Sequence, residues 1–225
     1  PGAEGARMHQ LHRDPQVPGG LNKYRHGRDS WSGESPTADE RLVIWEKLIA
    51  MQGERCAYCE AKIAVDDRHI EHFRQRSRYP QGTFQWSNLF GSCNRQGTCG
   101  DHKDKCGAYN HTHLIKPDEE DPDDFLVFDP SGGVSPKKGL SPPHLQRAEE
   151  TIRILNLKNG GLPRMRFNAA YGYLQTVEEW AELESQFPEE EWRPIVEQEL
   201  AQELANTAHL PFATAIRHTL ARVSL

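Results

Sequence analysis

The sequence predicts an α+β protein, and three observations carry that prediction: a capping-box helix, two short-range cysteine groups set around short strands, and a final third with helical periodicity. At 225 residues the chain can build one compact domain or two small ones. Composition divides it into an extended arm over residues 1–35, a cysteine-bearing core over 36–140 and a helical C-terminal region over 141–225.

Residues 1–7 precede Met8, a candidate start, and receive no structural weight. From there to residue 35, Pro15, Pro18, Gly19 and Gly20 break any period, so the arm reads as extended. Thr37-Ala38-Asp39-Glu40 is a capping box, in which hydroxyl and carboxylate satisfy the first free backbone N–H groups. The helix it opens carries Leu42, Val43, Ile44, Trp45, Leu48 and Ile49 as a broad stripe to be buried, and Gly53 stops it. Residues 61–65 and 68–72 read as a strand hairpin turning at Asp66-Asp67, with a loop over 73–87. Residues 125–128 form a further short strand ended by Pro130 and Gly132-Gly133, with a hairpin beyond it. Ser141-Pro142 starts a helix whose Leu145, Ala148, Ile152 and Leu155 recur at helical spacing, up to Gly160-Gly161. Further helices are expected at 163–186, at 189–207 and after Pro211.

No apolar run approaches the roughly 20 residues needed to span a bilayer, and no charged head with an apolar run opens the chain, so the expectation is a cytoplasmic protein without membrane contact. The net charge of −6 argues against a general nucleic-acid coat. Its distribution is uneven: Arg68, Arg74, Arg76, Arg78, Arg95, Lys103 and Lys105 stand against Glu71, Asp101 and Asp104 in one basic stretch. Acidity collects at 118–124 and 178–203, as a solvated face or a docking surface.

Cys56-x-x-Cys59 and Cys93-x5-Cys99 account for four of five cysteines. Grouped thiols of this kind in a reducing compartment point to a structural zinc ion rather than to disulfides, because a tight Cys-x-x-Cys turn presents two thiolates to one corner of a tetrahedron. Cys106 is a spare thiol that could replace Cys99.

Between and beside the cysteine pairs lie Arg68-His69-Ile70-Glu71-His72-Phe73, then Trp86-Ser87-Asn88-Leu89, then Gly100-Asp101-His102-Lys103. In this order the chain resembles the HNH (ββα-metal) nuclease superfamily, which implies a zinc-braced ββα-metal core and hydrolysis of phosphodiester bonds. That reaction needs a base for water and a cation for the charge on the phosphate. His72 is the candidate base, and Glu71 the candidate ligand of a catalytic Mg²⁺ or Mn²⁺, at a position where the superfamily usually has Asp. His102 is the candidate second ligand, with Asp101 and Asn94 as alternatives, because Gly100 and Asp101 intervene after the last cysteine. The resemblance gives Asn88 the task of spanning the loop behind the catalytic histidine; it could equally cap a helix containing Leu89 and Phe90. Arg74, Arg76 and Arg78, on alternating positions of an extended loop, are candidate phosphate contacts together with Lys103.

A narrower resemblance rests on Leu11-His12-Arg13, Gly20-Leu21-Asn22-Lys23-Tyr24, Ser30-Trp31, the block Cys56-Ala57-Tyr58-Cys59-Glu60, Ile70-Glu71-His72-Phe73 and residues 83–89. These are similar to the PtuB-like nuclease of bacterial Septu antiphage systems, also found beside some retrons. The similarity covers roughly residues 8–135. It implies a bacterial cytoplasmic effector controlled by an ABC- or SMC-like ATPase, with the target, DNA or a structured RNA, left open. Two other readings are a stand-alone nicking or homing-type HNH enzyme and a non-catalytic zinc-binding interaction module.

Overall fold

A computed structural model describes residues 10–222. The reading of residues 1–7 lies outside that range. The fold is α+β, with seven α-helices and two small antiparallel sheets among the described residues.

Helix α1, Ala38–Gln52, begins at the expected capping box: Glu40 N–H donates to Thr37 Oγ1 at 3.4 Å, and Thr37 N–H donates to Glu40 Oε2 at 2.9 Å. Its buried stripe is narrower than the sequence suggests. Ile44, Leu48 and Gln52 are buried, whereas Leu42 is 60% exposed. Gln52 is polar and buried for a reason, since its amide exchanges two 2.9 Å hydrogen bonds with the backbone of Gly91. A side chain at position 91 would collide with Gln52 and Trp45, so glycine permits this close approach.

Strand β1, Arg68–His72, pairs with β2, Leu89–Cys93, placing Arg68 opposite Cys93 and His72 opposite Leu89. This corrects the predicted hairpin: residues 61–65 contribute a single bridge, Lys62 to Arg55, and the partner strand comes from the other side of the loop. Burial decides the matter, because all five residues of β2 are buried. The alternative helix containing Leu89 and Phe90 is accordingly a strand. Helix α2, Cys99–Lys105, follows after a loop over 94–98 and packs on β2.

Strands β3, Leu126–Phe128, and β4, Val134–Pro136, form the second sheet. Helix α3, Pro142–Ile154, starts after Ser141 as expected. The predicted helix over 163–186 is two helices, α4, Gly161–Tyr171, and α5, Leu174–Gln186, interrupted at Gly172-Tyr173. Helices α6, Glu189–Thr207, and α7, Ala213–Leu220, complete the chain. No described helix is long and apolar enough to cross a membrane.

The core joins these parts. Cys56, Cys59, Cys93 and Cys99 share one apolar cluster with Ile152 and Leu155 at the end of α3, Leu162 of α4 and Ala215 of α7. The arm is anchored as well. Arg13 stacks between Trp86 and Phe90, 4.5 and 4.6 Å from the ring centroids, and donates to the carbonyls of Trp86 and Leu89. Leu21 and Tyr24 are buried against Ile44, Leu48 and Trp86.

Candidate metal centres and catalytic cleft

The four sulfurs of Cys56, Cys59, Cys93 and Cys99 lie within 4.8 Å of one another, all in buried residues. A tetrahedral zinc with bonds of about 2.3 Å needs sulfurs roughly 3.8 Å apart. The donor set and spacing therefore fit a structural metal such as zinc. The wider Cys93-x5-Cys99 spacing works because Cys99 sits at φ 50° and its N–H is held by the Leu155 carbonyl at 2.8 Å. Contact with the other sulfurs, Cys56 first, pushes the Cys59 and Cys99 thiols well up. Cys56 is held well down by the three neighbouring thiols, against the cost of burial. Cys106 does not join the cluster; its thiol donates to the Lys103 carbonyl.

Beside β1, a cavity of ≈ 330 Å³ is lined by His69, Ile70, Glu71, His72, Arg76, Asn94, Gly100, Asp101, Asp104 and Lys105. Glu71 is 3% exposed and is flanked by His69 and Lys103. His69 Nε2 lies 2.8 Å from its Oε2, and Lys103 Nζ lies 2.6 Å from Oε1, close enough for an ion pair but off the angle of a hydrogen bond. Burial pushes the Glu71 carboxyl up; the His69 hydrogen bond and the Lys103 charge outweigh it, and the group stays ionised. His69 in turn bonds Asn94 Oδ1 through Nδ1 at 2.7 Å, and, against burial, the Glu71 hydrogen bond raises its pKa.

His72 is the other adjacent group. Its Nε2 lies 2.9 Å from the Thr83 carbonyl, which can only accept, so Nε2 carries the hydrogen and Nδ1 keeps its lone pair. The Trp31 ring meets the imidazole edge-on at a centroid distance of 4.6 Å. Burial depresses the His72 pKa to about 4, so the ring is neutral at pH 7. Asn88 sits behind the loop that follows: its Oδ1 accepts from Arg74 N–H at 2.8 Å, and its Nδ2 donates to the carbonyls of Arg74 and Gly82 at 3.2 and 3.0 Å.

Several expected members stand elsewhere. His102 does not meet Glu71; its Nδ1 donates to the Ile154 carbonyl at 2.8 Å, and it lines a separate ≈ 600 Å³ groove with Cys106 and Arg153. The helical repeat explains this: positions 102 and 106 share the face of α2 turned to α3, while 101, 104 and 105 line the cleft. Asp101 accepts from Gly97 N–H at 2.7 Å and pairs with Lys105. Lys103 is fully buried and paired with Glu71 and Asp104, so it is not a surface contact for phosphate. The loop after β1 is not extended. A turn at Gln75–Tyr79 scatters the arginines: Arg76 faces the cleft and donates to the Trp31 carbonyl, Arg74 stacks on Tyr79 beside a neighbouring hollow, and Arg78 is exposed.

The residue missed in the sequence is His69. It lies two positions before Glu71, on the same face of β1, and strand periodicity alone would have paired them. Gly100 makes room for the pair: a Cβ there would overlap Glu71 Oε2 and lie 2.8 Å from His69 Nε2. One carboxylate oxygen and one imidazole nitrogen suit a hard or borderline divalent cation that keeps waters in its other positions. Among the described residues, no third ligand atom joins these two within the span that gathers the cysteines.

No protein-family model matches the chain. It is similar to an HNH-type protein: 27% identity over 124 residues, covering 52% of this chain and 58% of the relative. That relative is named "Retron Vc95 putative HNH endonuclease", from Vibrio cholerae serotype O1 biovar El Tor. The chain thus matches little more than half of the relative's length.

Proposed function

We propose that the protein is an HNH-type endonuclease that hydrolyses phosphodiester bonds of nucleic acid, most simply DNA, and that β1, β2 and α2 are its ββα-metal core. The observation that carries this reading is the adjacency of an ionised, histidine-bridged Glu71 and a neutral His72 on one cleft. In this reading His72 Nδ1 takes a proton from the attacking water. The Thr83 carbonyl fixes the tautomer that makes this possible, and Asn88 fixes the loop backbone around it. Glu71 and His69 would hold Mg²⁺ or Mn²⁺, with Asp101 at the rim. Neutralising charge on the scissile phosphate and leaving oxygen is what that cation supplies when bound. Arg76 is placed to receive a phosphate at the cleft mouth.

We further propose, from the residues shared with Septu-type nucleases, a bacterial antiphage effector working with an ABC- or SMC-like ATPase; the comparison with known proteins supports the HNH-type nuclease part of this reading. The test is direct. Purified protein is incubated with plasmid DNA and with total RNA, with and without Mg²⁺ or Mn²⁺ and a candidate ATPase. Cation-dependent cleavage lost in His72→Ala, at unchanged zinc content and fold, supports the reading. Equal cleavage by both proteins removes His72 from the mechanism, and no cleavage under any condition favours a zinc-braced interaction module.

A further inference from the structure

A zinc ion bound by four thiolates carries a formal charge of −2, and a buried site must balance that charge or bear a large desolvation cost. The cysteine cluster is buried, so solvent does not provide the balance.

The chain places an arginine there. Arg166, on α4, is 1% exposed and shares the wall of a small ≈ 50 Å³ cavity with Cys56 and Cys59. Its Nη1 donates to the Leu157 and Gly132 carbonyls at 2.9 and 3.2 Å, and its guanidinium lies 4.8 Å from the Phe128 ring centroid. Nη2 is buried and has no hydrogen-bond partner among the described residues. A fully buried guanidinium with a spare N–H group is costly unless negative charge lies close by. The other charged groups on this wall are already engaged: Arg55 donates to the Ala208 and Leu210 carbonyls, and Glu60 accepts from the Thr214 N–H and hydroxyl.

We propose that Arg166 is the buried counter-charge of the loaded zinc centre, a positioning residue supplied by the C-terminal helices to a metal held by the N-terminal half. The proposal rests on zinc loading of the four cysteines and is independent of nuclease activity. Its test is zinc affinity in the full chain, measured by competition with a chromogenic chelator for the wild type, Arg166→Met and Arg166→Lys. Wild-type protein that fails to bind one zinc per chain overturns the premise itself, whatever its effect on nucleic acid.

With zinc bound by the wild type, Arg166→Met is expected to lose about 10- to 100-fold in affinity, the usual effect of removing a group that supports metal ligands. Arg166→Lys, which restores the charge but not the fork of donors, is expected to recover most of that loss. A methionine variant with wild-type affinity, whose stability falls equally with and without zinc, would show Arg166 to be only a tie to Leu157 and Gly132. If the methionine variant does not fold, Arg166→Gln, which keeps N–H donors without the charge, decides against Arg166→Lys. A zinc affinity lower by about 10-fold or more in the glutamine variant than in the lysine variant supports the counter-charge role, and equal affinities overturn it.

Discussion

His69 Nε2 lies 2.8 Å from Oε2 of Glu71, and the two side chains approach from the same face of β1. If this pair holds the catalytic cation, His69→Ala and Glu71→Ala should each raise the Mn²⁺ or Mg²⁺ concentration for half-maximal cleavage by at least about tenfold. A cation titration of plasmid cleavage measures it. His102→Ala, whose ring is turned to α3, should leave that concentration unchanged.

If His72 is the base, a different prediction follows. His72→Ala should reduce turnover by about 10²- to 10⁴-fold without shifting the cation titration midpoint of the residual activity. Single-turnover cleavage at saturating cation separates this from a binding defect.

Asn88 closes three hydrogen bonds across the loop behind the base. Asn88→Ala leaves buried backbone groups at Arg74 and Gly82 without partners, which should cost about 1–3 kcal/mol in urea unfolding. Cleavage should fall while bound zinc stays at one per chain; zinc loss would show that the loop supports the metal cluster rather than the cleft.

Cys99→Ser should abolish stoichiometric zinc binding, whereas Cys106→Ser should retain it, because only Cys99 reaches the other three sulfurs. Metal analysis of the purified variants distinguishes the two.

Asp123 anchors α7 through His218 and Arg217. Burial pushes its carboxyl up, but the His218 hydrogen bond and Arg217 hold it down to about 2. Its contribution is therefore complete above the ordinary 3.8 and is lost as pH falls through about 2. With partial exposure discounting the pair, that contribution is about 1 kcal/mol. Asp123→Asn should be less stable by about that amount at pH 7, and the gap should shrink between pH 4 and 2 in urea unfolding.

Much of the cysteine site was legible because its signal is local: Cys-x-x-Cys fixes two ligands by spacing, and a second pair downstream supplies the rest. The adjacency of Glu71 and His72 at the end of one strand was legible for the same reason. His102 was not, because its role depends on how α2 is rotated against α3, a tertiary fact that a seven-residue helix does not encode in its own pattern. Lys103 misled in the same way: a lysine in a basic stretch reads as surface charge until a buried carboxylate is placed 2.6 Å from it. The partner of β1 was hidden because the intervening loop separates the strands, whereas residues 61–65 were nearer in sequence. The Glu60 of the Cys56–Glu60 block has a plain structural use, since it caps α7 at Thr214.

Cys93 is at once the last residue of β2 and a member of the sulfur cluster, directly opposite Arg68. Strand side chains alternate faces, so sliding β2 by one residue would turn Cys93 away from its three companions. A metal held by the four sulfurs would therefore fix the strand alignment. The same alignment sets Glu71 against Phe90 and His72 against Leu89, so an ion held by the four sulfurs would act as a ratchet stop for the cleft as well.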